Sequence, residues 1–273
     1  MKQDKIIYLI QGQAKLVETY MHLASRPNSD AIFLTYDQKL DGAIFFPNST
    51  WSEGRNHMLS LAVKRNNYLY YIFCDDDISF KKGDWNIFEE ELLFLKPSIG
   101  VPVVPKTSRS VIPFQRYQTF LQNDEQLIAF HKDVIIDRIL FPYRSEFDKI
   151  HWWAACLIQQ TLIQNFYHHT SLQFNRVRIS NDCHARYFGG KDPDDDSFKV
   201  NVDEWLKEQF RGDFVKSSKV FYKKIPDFIR DTRCYTRKMM ASGLQNYRLS
   251  PNEVSHHLKE QSILYGNWKA AED

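Results

Sequence analysis

Three consecutive aspartates, Asp75, Asp76 and Asp77, directly follow an apolar run at residues 70–74. Three like charges in a row repel one another, and each carboxylate is costly to remove from water. Two carboxylates one residue apart can turn toward a single hard cation, which neutralises the repulsion and can bridge to phosphate oxygens. Oxygen ligands of this kind suit Mg²⁺ or Mn²⁺. The cluster therefore indicates a metal site at the end of a strand; the alternative is a solvated turn or a helix cap, both of which favour Asp.

The elements that must position these aspartates can be predicted from hydrophobic periodicity. Strand-like apolar runs occupy residues 6–10, 31–35, 44–46, 69–74 and 100–104, and helical patterns occupy residues 14–24, 52–64 and 87–95. Near-continuous apolar strands that alternate with helices indicate an α/β protein with a mostly parallel sheet covered on both faces. Ligands of such sheets bind beyond the carboxyl ends of the strands, where Asp37 and the aspartate cluster fall.

The second half of the sequence is more mixed. It contains a strand-like segment within residues 127–139, a long helical pattern at 147–166 and a strand-like run at 175–180. From residue 198 onward the chain is charged and mostly helical in pattern. We therefore expect a catalytic-type α/β domain over residues 1–190 and a mostly helical extension over residues 191–273.

Composition restricts the class of protein. The 273 residues are 43% hydrophobic and 26% charged, and the net charge is +2, so no strong field indicates a nucleic-acid partner. Four widely spaced cysteines give neither a zinc motif nor a disulfide framework, which favours reduced thiols in a cytoplasmic protein. No apolar window is long enough to span a membrane. Basic and aromatic residues alternate at 219–240, where we expect a solvated helical face; the alternative, if the acceptor is lipid-linked, is peripheral membrane contact.

Residues 51–80 resemble the nucleotide-sugar-dependent glycosyltransferases of the GT-A fold. Their pattern is a small residue followed by Arg-Asn at a helix start, then an apolar strand and an Asp-x-Asp motif. Residues 54–56 (Gly-Arg-Asn) match the first part and residues 75–77 the last. The resemblance extends in outline over residues 5–190. It implies a GT-A-like mixed sheet flanked by helices, and transfer of a sugar from a nucleoside diphosphate sugar to a glycan, a lipid-linked acceptor or another hydroxyl group.

The resemblance also implies roles for individual residues. Asp37 matches an acidic residue that contacts the base or ribose, although a turn residue is the alternative. Arg55 and Asn56 match residues near the nucleotide and its phosphates; for Arg55 the alternative is a surface ion pair with Glu53. Asp76 matches a residue that touches the ribose or sugar. The residues expected to bind the nucleotide sugar are Asp37, Trp51, Arg55, Asn56, Asp75 and Asp76.

The metal site expected from the resemblance contains Asp75 and Asp77, with Mn²⁺ or Mg²⁺ as the cofactor. Many members of the fold supply a third ligand, commonly His, from a position after a late strand. His184 stands in such a place, and neutral imidazole is an acceptable ligand for Mn²⁺. A structural or exposed histidine is the alternative.

The catalytic base is expected just before the long helical pattern, where family members place a Glu-Asp or Asp-Asp pair. Here the sequence has Glu146 and Asp148, separated by one residue. An inverting transferase needs a carboxylate to take the proton from the acceptor hydroxyl. We expect Asp148 to be the base and Glu146 the second candidate; helix capping is the alternative for Asp148. A retaining enzyme would need no such base.

Two other functions fit parts of the pattern. A nucleotidyltransferase also combines an open α/β sheet with metal-binding carboxylates, but normally has a Gly-rich phosphate loop after the first strand, where this sequence has only Gly12. A non-catalytic binding protein on a degenerate transferase fold is the third hypothesis.

Overall fold

The computed structural model describes residues 5–105, 111, 114–119, 125–136, 139–151, 153–167, 170–181 and 198–209. His184 and the basic, aromatic segment 219–240 lie outside the described residues. So do Cys183 and Cys234, whereas Cys74 and Cys156 are buried and free of disulfide bonds. The predicted domain boundary after residue 190 also lies outside them and stays a prediction.

One mixed sheet forms the centre of the described structure. Its strands are β1 (Ile6–Gly12), β2 (Ser29–Thr35), β3 (Ile44–Phe45), β4 (Tyr70–Asp75), β5 (Ile78–Lys82), β6 (Ile99–Val103), β7 (Tyr117–Thr119), β8 (Leu127–His131) and β9 (Ser171–Asn181). Their order is β3-β2-β1-β4-β8-β6-β9-β5, with β7 also beside β9. The pairings make β1, β2, β3, β4, β6 and β9 run one way and β5, β7 and β8 the other. Six of these nine strands are thus parallel in direction, and the predicted mostly parallel sheet is confirmed.

Helices cover both faces of this sheet. They are α1 (Ala14–Val17), a 3-10 helix (Glu18–Ser25), α2 (Trp51–Arg65), α3 (Trp85–Leu95), α4 (Lys132–Ile136), a second 3-10 helix (Ser145–Lys149), α5 (Ala154–Phe166) and α6 (Phe198–Gln209). Alternate residues of β1 face opposite sides: Ile7 and Leu9 belong to the core under α2, α5 and α6, and Tyr8 and Ile10 to the core under α3. The predicted α/β class is confirmed. None of the described helices is both long and apolar enough to cross a bilayer.

Helix α2 positions much of the candidate site, and its start is fixed by local chemistry. Thr50 Oγ1 accepts a hydrogen bond from the Glu53 amide at 3.3 Å, and the Glu53 carboxylate accepts from the Thr50 amide at 2.9 Å. This reciprocal pair is a capping box. The predicted helix over residues 52–64 is confirmed; it begins one residue earlier, at Trp51, because Thr50 is the cap that pairs with Glu53.

The prediction of one long helix over residues 147–166 was also wrong. The chain forms the second 3-10 helix, breaks near His151, and restarts as α5. His151 Nδ1 accepts a hydrogen bond from the Trp153 amide at 3.1 Å, and its ring stacks on Phe198 of α6 with centroids 4.1 Å apart. These contacts favour the break, because the Trp153 amide points to a side chain instead of a helical carbonyl.

Three other differences concern short or tightly wound elements. Strands β5 and β7 were not predicted, because neither is a continuous apolar run: β5 ends in two exposed lysines, and two of the three residues of β7 are polar. The segment after β8 becomes α4, although the whole of it was expected to be strand-like. The predicted helix over 14–24 becomes 3-10 from Glu18, and Thr19 Oγ1 donates to the Leu16 carbonyl, three residues back, as this tighter winding favours.

Candidate active site

The carboxyl ends of the central parallel strands meet at one edge of the sheet. Gln11 of β1 is in register with Asp75 of β4, and Gly12 with Thr35 of β2. Asp37 follows β2 by two residues. The fold therefore brings the acidic positions of two separate segments to one edge, as the alternation of strands and helices predicted.

Asp75 is held by two donors from α2. Arg55 Nη2 lies 2.8 Å and Trp51 Nε1 3.2 Å from the same carboxylate oxygen, Oδ1. The guanidinium carbon of Arg55 also lies 3.9 Å from the centroid of the Trp51 ring, which is cation–π geometry. The Asp75 side chain remains 23% exposed, so the two donors of α2 orient it while it still reaches solvent.

Asp76 and Asp37 bind the loop after β1. Asp76 Oδ2 accepts a hydrogen bond from the Gln13 amide at 2.6 Å, and Asp37 Oδ1 accepts from the Ala14 amide at 2.8 Å. Burial, helped by the charges of Asp75 and Asp37, raises the pKa of Asp76 to about 6, although the Gln13 amide acts in the opposite direction. Asp76 therefore lies in a setting that resists a full negative charge.

Arg55 is completely buried and does not form the surface ion pair with Glu53. That alternative was wrong, because Glu53 belongs to the capping box and Arg55 faces the core. Besides Asp75, its guanidinium donates to the Glu125 carbonyl at 2.8 Å and to the Tyr143 hydroxyl at 3.2 Å. Its placement near the nucleotide stays a prediction, because Arg55 is buried and Asp75 lies between it and the exposed edge of the sheet.

Asn56 binds the backbone of one distant residue. Its amide nitrogen donates to the Tyr143 carbonyl at 2.8 Å, and its oxygen accepts from the Tyr143 amide at 2.7 Å. These two bonds fasten the segment before the second 3-10 helix to α2. A direct contact of Asn56 with the nucleotide stays a prediction.

Asp148 meets the N-terminal end of α2. Its two oxygens accept from the Ser52 hydroxyl at 2.8 Å and from the Ser52 amide at 3.1 Å. Burial raises the pKa of Asp148, and hydrogen bonds from Thr50 and Ser52 partly offset that shift. Asp148 thus caps α2 instead of the helix that follows it in sequence. Glu146 is exposed. The role of either carboxylate as a base stays a prediction.

Asp77 is half-buried and leads directly into β5. Ile78, the next residue, is paired with Asn181 at the carboxyl end of β9. Within the ranges that the structure describes, no group of three or more His, Cys, Asp or Glu side chains is arranged to hold a metal ion. The third predicted ligand, His184, lies outside those ranges.

Several site residues were not predicted from the sequence. Gln11 donates to the Trp51 carbonyl at 3.1 Å, and its Oε1 would lie 2.4 Å from a Cβ atom at Gly54, so a side chain there would displace the Gln11 amide. Glu125 and Tyr143 surround Arg55. The signal available for Gln11 was its place at the end of a strand beside Asp75; Glu125 and Tyr143 had no local signal.

No protein-family model matches the sequence, and no curated protein matches it. Among solved structures, GalNAc-T7 with UDP, GalNAc and Mn²⁺ is similar, with a TM-score of 0.53 at 11% identity over 94% of this chain and 58% of that one. This chain thus spans 58% of the length of that GalNAc-T7 chain.

Two other structures are similar at lower scores. A protein of Desulfovibrio desulfuricans G20 assigned as a nucleotide-diphospho-sugar transferase has a TM-score of 0.42 at 12% identity, over 86% of this chain and 98% of that one. CMP:2-keto-3-deoxy-manno-octonic acid synthetase complexed with CTP has a TM-score of 0.40 at 11% identity, over 65% and 90%. At such identities a likeness concerns the fold alone, and the likeness to GalNAc-T7 confirms the predicted GT-A-like architecture.

Proposed function

We propose that this protein is a metal-dependent glycosyltransferase that moves a sugar from a nucleoside diphosphate sugar to a glycan or another hydroxyl acceptor. The observation that carries the proposal is the aspartate run 75–77 at the carboxyl edge of β4, in a GT-A-like sheet, with Asp75 oriented by Arg55 and Trp51. The buried guanidinium of Arg55 fixes the orientation of the Asp75 carboxylate. A solvated turn needs no such support.

The donor set supports a hard divalent cation, Mn²⁺ or Mg²⁺. Asp75 and Asp77 supply carboxylate oxygens, and Oδ2 of Asp75 takes no part in the bonds from Arg55 and Trp51. His184 follows Asn181 by three residues, a stretch of at most about 11 Å, and Asn181 pairs with Ile78, the neighbour of Asp77. We therefore keep His184 as the third ligand. When bound, the metal would neutralise charge on the diphosphate leaving group.

The remaining roles belong to the protein's own groups. Asp37 and Asp76 fix the loop after β1, where the base and ribose would lie. Asp148 takes the proton of the acceptor hydroxyl, because its raised pKa suits a general base and its bonds to Ser52 hold it in place. Glu146 is the second candidate for this step. An enzyme that retains the configuration at the anomeric carbon would need neither carboxylate as a base.

The nucleotidyltransferase hypothesis is less well supported. Such an enzyme holds a triphosphate on free amides after the first strand. Here the amides of Gln13 and Ala14 already donate to Asp76 and Asp37. Incubation with each nucleoside triphosphate, a sugar phosphate and Mg²⁺ should release no pyrophosphate if the glycosyltransferase proposal is correct.

A thermal-shift screen of nucleoside diphosphates and nucleotide sugars, with and without Mn²⁺, tests the proposal. Binding raises the melting temperature by mass action, so one base should give a metal-dependent rise. Asp77→Ala should lose the metal dependence, whereas Asp41→Ala, at an exposed loop aspartate, should keep it. If no nucleotide moves the melting temperature of the unmodified protein, the proposal is wrong. If a sugar donor is identified, slow release of nucleoside diphosphate from it would distinguish an enzyme from a non-catalytic binding protein.

The acceptor and the cellular setting are proposed from the sequence. A lipid-linked acceptor would agree with the basic, aromatic segment 219–240 as a peripheral membrane contact on a cytoplasmic protein. Co-sedimentation of the full chain with anionic vesicles tests this, and unchanged partitioning after neutral substitution of the segment's lysines and arginines would contradict it.

A further inference from the structure

The carboxylate of Asp75 is connected through Arg55 to two buried polar residues, Glu125 and Tyr143, for which no role was predicted. Arg55 Nη2 donates both to Asp75 Oδ1 and to the Glu125 main-chain carbonyl, each at 2.8 Å. Arg55 Nη1 donates to the Tyr143 hydroxyl at 3.2 Å, and that hydroxyl donates to Glu125 Oε2 at 3.1 Å. Glu125, Tyr143 and Arg55 are all buried, with Glu125 and Arg55 fully so.

Further hydrogen bonds fix the backbone around Arg55, Glu125 and Tyr143. The Asp75 amide donates to the Gln126 carbonyl at 2.8 Å, so the residue beside Glu125 binds the aspartate's backbone. Asn56, beside Arg55, fixes the backbone of Tyr143. The rings of Trp51, Phe73 and Tyr143 surround the guanidinium and exclude water from it. The Arg55 side chain therefore has one well-determined position.

We infer that Glu125 and Tyr143 are positioning residues, which act through Arg55 to hold Asp75 in the orientation that its ligand requires. This inference rests on the proposed function, since it assigns the buried group to the metal and diphosphate site. Arg55 also lies between two carboxylates, Asp75 at 2.8 Å and Glu125 at 3.7 Å. Arg55 is therefore held at both terminal nitrogens, Nη2 by Asp75 and Nη1 by Tyr143 and Glu125.

Tyr143→Phe is the mildest test, because it removes one hydroxyl and leaves every charge in place. The probe is Mn²⁺ with inorganic pyrophosphate, which is independent of the nucleotide base. We expect the apparent affinity for Mn²⁺ to fall about 10-fold, the lower end of the effect of removing a partner of a metal ligand. Tyr70→Phe is the matched control: its hydroxyl is equally buried and donates to the Pro97 carbonyl at 2.7 Å, away from Asp75. It should lose comparable stability and no affinity.

Glu125→Gln and Arg55→Lys complete the test. Glutamine keeps the shape of Glu125 and an acceptor for Tyr143, and lysine keeps the charge of Arg55 without its two-pronged geometry. Both should weaken Mn²⁺ binding about 10-fold or more while the protein stays folded by circular dichroism. Binding by Tyr143→Phe, Glu125→Gln and Arg55→Lys that equals the unmodified protein would overturn the positioning role and leave the proposed function standing. If the unmodified protein takes up no Mn²⁺, the proposed function fails and the positioning role falls with it.

Discussion

Gly12 and Asp76 approach each other so closely that a Cβ atom on Gly12 would lie 2.0 Å from Cγ of Asp76. The absence of a side chain at Gly12 lets the Asp76 carboxylate enter the loop after β1 and accept the Gln13 amide. A single glycine after β1 does not make a Gly-rich phosphate loop. Gly12 is instead required for the contact between the loop after β1 and the aspartate run after β4.

Gly12→Ala should displace the Asp76 carboxylate and lose its bond to Gln13. We expect the free energy of unfolding to fall by about 1–3 kcal/mol, and metal-dependent nucleotide binding to weaken. Urea denaturation measures the first effect and calorimetry the second. In the Asp76→Gly background the obstructing atoms are gone, so the same substitution should cost much less; equal costs in both backgrounds would contradict the steric explanation.

Asp148→Asn separates a catalytic carboxylate from a helix cap. Asparagine keeps one acceptor for Ser52, so the loss of stability should stay near 1 kcal/mol. If Asp148 is the base, the rate of sugar transfer should fall at least about 100-fold with donor binding unchanged. Glu146→Gln is the control at an exposed position of the same 3-10 helix and should retain the rate. A lower rate in Glu146→Gln with an unchanged rate in Asp148→Asn would make Glu146 the base and Asp148 only a helix cap.

Stability in the absence of metal should depend on pH through Asp76. Its pKa in the folded protein is about 6, above the ordinary 3.8, so between those values the folded state binds more protons than the unfolded state. The contribution of Asp76 to the free energy of unfolding should therefore fall as pH rises from 4 to 6, by about 1–2 kcal/mol after allowance for partial exposure. Urea denaturation in EDTA at pH 4.5 and 6.5 measures the change. Asp76→Asn should make this pH dependence smaller, and an identical slope in that variant would refute the assignment.

Trp51 supplies both a hydrogen bond and a ring, and two substitutions divide them. Trp51→Phe loses the indole donor to Asp75 and keeps an aromatic face for Arg55, whereas Trp51→Leu loses both. We expect Phe to weaken Mn²⁺ binding several-fold at small cost in stability, and Leu to cost about 1 kcal/mol more, from the lost cation–π contact. Trp153→Phe, at a partly buried ring packed against Phe198, is the comparison that should leave Mn²⁺ binding unchanged.

The sequence predicted the sheet edge and the residues on it because local patterns encode them. Near-continuous apolar runs mark the parallel strands, and the aspartates stand directly after one of them. The burial of Arg55 also had a local signal: it lies three and four residues before Met58 and Leu59, on the core-facing side of α2. Helical spacing alone therefore opposed a surface ion pair.

Contacts between distant segments had no such signal. Asp148 binds Ser52 across 96 residues, and Arg55 reaches the Glu125 carbonyl across 70. A carboxylate before a helical pattern predicts a cap for that helix, but here the cap belongs to another one. Such pairings follow from strand order and from the break near His151, and periodicity determines neither.

The most direct test of the central claim is the electron paramagnetic resonance signal of free Mn²⁺, titrated with the full chain in the presence of the nucleoside diphosphate that the thermal-shift screen identifies. The account predicts that the protein removes Mn²⁺ from solution only with the diphosphate present, and that Asp77→Asn abolishes this uptake while Asp41→Asn does not. Uptake of Mn²⁺ by Asp77→Asn equal to that of the unmodified protein would contradict it.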